Sequence, residues 1–253
     1  MSACDEPIWW WSAEKLTAAI AARQLSSVEV VKAFMQRIEA LDGTYNAFLS
    51  VVSESEALRQ AEEADRAVQR GEDLGPLHGL PIAVKDLMDV RGLPTTNGTC
   101  LPSYVASSDS VLAENLRKAG AIIVGKTNTP EYGLGTLTFN GLKGPTRNPW
   151  SPERHAGGSS GGAAAAVAAG MLPLADGSDS GGSIRYPASF CNLVGLRPSA
   201  GRVPSGRLGD VWSPHGVLGP IARNVRDTGL LLSAISGFDM RAPLSVEAPT
   251  AAY

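Results

Sequence analysis

Apolar positions recur at helical spacing through much of the first seventy residues. Val30, Val31 and Phe34 follow Ser26 and Glu29, whose S-x-x-E spacing makes a capping box at a helix start. Asp42-Gly43 offers that helix a left-handed stop. Residues 47–52 read as a strand, and 54–70 as a second amphipathic helix ended by Gly71. At 80–84 the pattern becomes apolar almost throughout, as in a short buried strand. A polar loop with the turn residues Asn97-Gly98 follows. A helix from Asp109 or Ser110 runs through Lys118 to a stop at Gly120, and 121–124 is a fully apolar strand. Pro149 and Pro152 break up residues 147–155, which read as loop. The alanine-rich run 162–170 predicts a helix whose small side chains let neighbours pack close. Asn224 to Ser236 is a last amphipathic helix. Strands alternating with helices predict an α/β fold with a largely parallel or mixed sheet.

Composition narrows the function classes. A chain of 253 residues that is 43% apolar can bury one sizeable core. From Arg241 onward the sequence reads as a linker or frayed tail. A net charge of −3 gives no broad attraction to phosphate backbones, so no nucleic-acid partner is expected. Cys4, Cys100 and Cys191 are odd in number and widely spaced, which disfavours a zinc site or a disulfide framework and fits a reducing cytoplasm. The N-terminal MSACDEPIWWW lacks a basic region and does not read as a signal peptide. The longest apolar run, 163–175, is interrupted by Gly170 and Pro173 and is too short to span a bilayer, so no membrane partner is expected.

Candidate chemistry concentrates in residues 157–185, GGSSGGAAAAVAAGMLPLADGSDSGGSIR. Ser159 and Ser183 are both flanked by glycine. A nucleophilic hydroxyl needs a base to take its proton and backbone N–H groups aimed at the oxyanion, and glycines let the backbone approach a substrate closely. Lys85, at the end of the apolar run GLPIAVK, is the candidate base, because a dry setting disfavours its charged form. The bland alternatives are a flexible Gly/Ser turn and a surface lysine at a strand end. Two strings look like decoys. G-x-x-x-x-G-K-T at 120–127 matches a phosphate loop, but its variable positions are themselves the apolar strand. G-x-S-x-G at 157–161 matches a nucleophile elbow, but no strand is expected before it. With His215 downstream and Asp179 or Asp210 between, a Ser-His-Asp esterase remains a rival reading. His78, His155 and His215 otherwise read as ordinary polar or packing residues, too few to suggest a metal site.

Taken together, LHGLPIAVKD, GKTNTPEYGLG, GPTRNPW, the GGSSGG…GSDSGGSIR core and FCNLVGLRPSAGRVP resemble the amidase signature family over about residues 9–241. The resemblance implies a mixed β-sheet core flanked by helices on both faces, with 1–241 the N-terminal part of a single such domain and 242–253 a linker or disordered tail. It implies Ser183 as nucleophile, Ser159 as bridging serine after a cis peptide bond, and Lys85 as terminal base. Ser180, Gly181 and Gly182, with Ser183, would offer N–H groups to the oxyanion. Ser160, Asp179 and Arg185 would hold the loops, and Gly133 and Leu134 would line the substrate side. No cofactor or metal is implied, and the substrate would be a small amide.

The chain departs from the family pattern at Asn192, where glycine is usual, and at Arg197, where lysine is usual; neither is expected to touch the three site residues. Family members run substantially further, so the resemblance implies a C-terminally truncated fold. It is expected to need the remaining portion, or self-association as a homodimer, for stability and activity. The expected function is hydrolysis of carboxylic amides through an acyl-enzyme. The alternatives are the glutamine-amidase subunit of a tRNA-dependent amidotransferase, the esterase, or an inactive fragment that only binds or assembles.

Overall fold

The computed structural model describes residues 6–206 and 211–247. In chain order its elements are α1 (Ala13–Ala21), α2 (Ser27–Tyr45), β1 (Phe48–Val51), α3 (Glu54–Arg70), β2 (Pro81–Lys85), β3 (Pro94–Thr95), β4 (Tyr104–Val105), α4 (Val111–Lys118), β5 (Ile122–Thr127), β6 (Arg147–Asn148), β7 (Ser151–His155), α5 (Gly161–Ala168), β8 (Leu174–Asp179), α6 (Arg185–Phe190), β9 (Val194–Gly195), β10 (Val217–Ala222) and α7 (Val225–Ile235).

Two three-stranded sheets carry the fold, ordered β1-β5-β2 and β8-β10-β9. β5 runs parallel to β2 and antiparallel to β1, while β10 is antiparallel to both its neighbours. β2 lies alongside β8, where the Lys85 N–H donates to Asp176 Oδ1 at 3.0 Å. The period-two alternation of strand side chains then divides the interior into two cores. Ile82, Val84, Ile123, Leu174 and Leu218 join α1, α4 and α7 on one side. Ala83, Ile122, Val124, Ala175 and Ile221 join α3 and α5 on the other. Phe34 of α2 enters the first core and Val31 and Met35 the second. β1-β5-β2 is thus a mixed sheet and β8-β10-β9 an antiparallel one, with helices on both faces.

The helix starts follow the capping chemistry of the sequence. Ser26 and Glu29 form the capping box, and Ser53, Ser110 and Asn224 cap α3, α4 and α7 through their side chains. Gly71 closes α3 at φ +69°, and Asn97 and Gly98 take positive φ in their turn. α2 does not stop at Asp42-Gly43 but runs to Tyr45, and Asn46 takes the left-handed cap at φ +52°. Asp42 acts from inside the helix, its Oδ1 accepting from the Ala47 and Phe48 N–H groups. Residues 147–155 are not loop but the hairpin β6–β7, because its prolines fall where no ladder bond needs their nitrogen.

Arg241 does not begin a loose tail within the described residues. It pairs with Glu114 on α4, Ala242 is buried, and the Val246 N–H donates to the Gly201 carbonyl at 3.1 Å. Residues 248–253 of the expected tail, Asp210 and Cys4 lie outside the described residues.

α5 is buried at every residue. A Cβ on Gly162 would stand 2.3 Å from the Asn128 nitrogen and 2.5 Å from the Ala47 carbonyl oxygen, both fixed main chain. Gly162→Val is therefore expected to destabilise the fold by at least about 3 kcal/mol, since overpacking here meets backbone and not a flexible side chain. Urea denaturation checks this. Gly181→Ala, whose Cβ would meet open space, is the control expected to unfold near the wild-type midpoint.

Candidate active site

Three segments meet at one buried amine. Lys85 ends β2 and is fully buried. Its Nζ donates to Ser159 Oγ at 2.8 Å, Ser160 Oγ at 2.9 Å and Ser178 Oγ at 2.9 Å. Ser159 and Ser160 stand at the N-terminus of α5, and Ser178 near the end of β8. Burial pushes the Lys85 pKa down to about 7, against the pull of the Asp176 and Asp179 carboxylates. The structure therefore brings the candidate base and one candidate serine into direct contact in a dry setting.

The serine turn has tight local causes. The Gly158–Ser159 peptide bond is cis. Thr138 clamps the run: its Oγ1 accepts from the Gly161 N–H at 3.0 Å and donates to the Ser159 carbonyl at 3.4 Å. Ser160 makes no N-cap bond to its own helix. Its hydroxyl donates to the Ser178 carbonyl at 3.3 Å and accepts from the Ser178 N–H at 3.3 Å, tying α5 to β8.

Ser183 follows in the loop before α6. Its carbonyl accepts from the Ser160 N–H at 3.1 Å, which seats the loop against the serine turn. Ser183 is half-buried, and among the described residues its hydroxyl makes no hydrogen bond. Gly133 lies close by: a Cβ there would be 3.5 Å from Ser159 Oγ, while its neighbour Leu134 is 78% exposed.

Asp179 organises the Ser183 loop. Its carboxylate accepts from the Gly182 N–H at 2.8 Å and the Ile184 N–H at 3.2 Å, and pairs with the guanidinium of Arg185 at 3.0 Å. Burial works to raise its pKa, but Arg185 and the two N–H groups outweigh that and hold the carboxyl well below the usual range. The Gly182 N–H, expected to face an oxyanion, is engaged by this carboxylate. Arg197 also reaches the hub: it pairs with Asp179 Oδ1 at 3.0 Å, bonds the Asp179 carbonyl, and donates to the His215 carbonyl at 3.0 Å. The substitution at 197 thus bears on the group that shapes the Ser183 loop.

Sequence reasoning missed several members of the site. Ser178, Asp176 and Thr138 are all buried. The alternation of Asp176 and Ser178 along β8 is a strand signal, hidden by the loop-like glycine and serine content. Asp86 and Lys126 form a second buried pair, Nζ to Oδ1 at 2.8 Å, with both side chains fully enclosed. Lys126 therefore does not serve a phosphate loop, and its string lies along β5 behind α4. The G-x-S-x-G string does follow a strand, β7, contrary to expectation. Its Ser159, however, bonds Lys85 rather than a histidine, and His215 is exposed. Among the described residues no group of His, Cys, Asp and Glu side chains is placed to hold a metal ion, and no helix is long and apolar enough to cross a membrane.

A family model described as Amidase matches residues 29–252. The chain is 44% identical to an acylamidase of Rhodococcus erythropolis, over 98% of this chain and 52% of that relative. It is 45% identical to a glutamyl-tRNA(Gln) amidotransferase subunit of Carboxydothermus hydrogenoformans, over 95% of this chain and 50% of that relative. The crystal structure of a bacterial aryl acylamidase of the amidase signature family superposes with a TM-score of 0.87 at 37% identity, covering 96% of this chain and 51% of that one. The chain spans about half the length of the relatives it matches.

Breaking one side of the Lys126–Asp86 pair leaves an uncompensated buried charge. Lys126→Met is expected to lower stability by about 3–5 kcal/mol. The double substitution Lys126→Met/Asp86→Leu is expected to lose less than the single one. Chemical denaturation of both proteins checks the order; a double variant less stable than Lys126→Met would contradict it.

Proposed function

The chain belongs to the amidase family, and from that premise we propose that its centre hydrolyses carboxylic amides to acid plus amine or ammonia through an acyl-enzyme on Ser183. One observation carries the reading: a dry amine, Lys85 Nζ, holds Ser159 Oγ at 2.8 Å, while the Ser183 loop is seated on the same serine turn by the Ser160 N–H to Ser183 carbonyl bond and its hydroxyl makes no hydrogen bond among the described residues.

In this mechanism Ser183 attacks the amide carbonyl, giving its proton to Ser159, which gives its own to neutral Lys85. The proton returns through Ser159 to the leaving nitrogen, and water then releases the acid. The oxyanion would be received by the N–H groups of Ser180, Gly181 and Ser183, because that of Gly182 is turned to Asp179. Asp179, Arg185 and Ser160 act on the shape of the turn and touch no substrate. Gly133 and Leu134 face the substrate side. Tyr186 packs on Gly182, Phe190 on Gly157 and the Leu137 main chain on Gly158, and the side chains of all three remain exposed; a second copy or further polypeptide would bury them and complete the pocket. We place the chain in the cytoplasm, because Cys100 and Cys191 are free thiols suited to a reducing compartment.

A second reading keeps the centre and changes its role. The likeness to an amidotransferase component favours glutamine as substrate, with ammonia passed to a partner. Ammonia release from glutamine, compared with release of aniline from an anilide, separates the two.

The first test is labelling of the 253-residue chain by a fluorophosphonate, mapped by peptide mass spectrometry. The adduct is expected on Ser183. Ser183→Ala and Lys85→Ala are expected to reduce labelling by at least about a thousandfold, and His215→Ala to leave it unchanged. The esterase reading requires the opposite result for Lys85 and His215. Because Lys85 acts only when neutral and its pKa is lowered to about 7, the labelling rate should rise with pH through that value and level off above it. A rate independent of pH between 6 and 9, roughly the span in which such a base titrates, would remove Lys85 as the base.

A further inference from the structure

Asp176 is a buried carboxyl that the mechanism above does not use. Its side chain is fully enclosed in β8, beside the strand that ends in Lys85. Oδ1 accepts from the Lys85 N–H at 3.0 Å, and Oδ2 is buried with no hydrogen-bond partner. An isolated carboxylate in such a place costs several kcal/mol unless charge or a proton compensates it. The compensation available is cationic: Lys85 from β2 and Lys126 from β5, of which Lys126 already has Asp86. Along β8, Asp179 is committed to Arg185 and Arg197. α5 and β10 bring no ionisable side chain to β8. α7 carries Arg226, paired with Glu14, and Asp227, which accepts from the Ala13 and Glu14 N–H groups.

We propose that Asp176 is a positioning residue for Lys85, fixing its main chain through Oδ1 and supplying, through its buried carboxylate, the negative charge that holds the proton Lys85 receives when Ser183 attacks. The inference rests on the reading of Lys85 as terminal base. As the Ser183 oxygen bonds the reacting centre, its proton passes to Ser159 and the Ser159 proton to Lys85 Nζ. A buried ammonium forms, with the three serine hydroxyls around it but no carboxylate in direct contact. Asp176 is the nearby acid not already engaged by an arginine or by Lys126. Burial raises its own pKa to about 6, against the hydrogen bond and charge of Lys85, so above neutrality it is ionised and available for this task.

The test is the pH profile of fluorophosphonate labelling at Ser183, where the oxygen–phosphorus bond forms, fluoride leaves and Lys85 takes the proton. Asp176→Asn keeps an oxygen for the Lys85 N–H and removes the charge; Asp176→Ala removes both in a smaller volume. With the charge gone, Lys85 is a weaker base. The midpoint of the profile is expected to move to lower pH by about one unit and the plateau rate to fall about tenfold, in variants whose circular dichroism matches the parent. A lost rate with an unmoved midpoint would make Asp176 a packing residue only, and an unaltered profile would make it irrelevant; either overturns the proposal while leaving Lys85 as base. Failure of both variants to fold would assign the residue to stability and overturn it as well. Absence of labelling in the folded parent chain would instead overturn the reading on which it rests.

Discussion

A lysine amine held dry among three serine hydroxyls is the constraint on which the rest of this structure depends. Nζ has a hydrogen for each of Ser159, Ser160 and Ser178 when charged, so a buried ammonium is satisfied there. A neutral amine has one hydrogen fewer and a lone pair that must accept. Ser160 cannot be that donor while its proton goes to the Ser178 carbonyl. The lone pair therefore faces Ser159 or Ser178, and of these Ser159 adjoins the turn that bonds the Ser183 carbonyl. That arrangement of donors and acceptors is what the proposed proton path from Ser159 to Lys85 requires.

Holding that amine dry requires elements that meet without gaps. The Lys85 end of β2, the Ser178 end of β8 and the start of α5 must come within hydrogen-bond distance of one another. α5 achieves this by having almost no side chains: Gly161 and Gly162 let it touch Thr138, Asn128 and Ala47 directly. Its alanines then fill the second core on the α3 side of the sheet. The same small residues that make the segment look like low-information sequence are what allow its N-terminus to reach the lysine. Packing density and site geometry are here one requirement.

Much of this was legible in the chain. The capping box fixed the start of α2, amphipathic periodicity and polar starts located α3, α4 and α7, and the apolar runs located β2 and β5 to within a few residues. Lys85, Ser159 and Ser183 could be singled out because glycine-flanked serines and a lysine after an apolar strand are an unusual combination. The strands β8 and β10 were not anticipated: glycine and serine made β8 read as loop despite its alternation, and β10, buried on both faces, shows none. The hairpin β6–β7 was hidden by its prolines. The pairing of Asp86 with Lys126 could not be read at all, since the partners are distant in sequence and meet only when β2 and β5 align in parallel.

The two departures from the family pattern have physical explanations that sequence alone did not supply. Asn192 sits at φ +57°, in the left-handed region that glycine enters freely and asparagine tolerates better than other side chains. Arg197 does more than preserve a positive charge. A lysine ammonium is a single point of charge, whereas the planar guanidinium bonds Asp179 through one nitrogen and the His215 carbonyl through the other. It therefore fastens the carboxylate that shapes the Ser183 loop to the segment leading into β10. Lysine in that position could serve one of these partners at full strength. In this chain the geometry of the Ser183 loop is coupled through Arg197 to the segment that leads into β10.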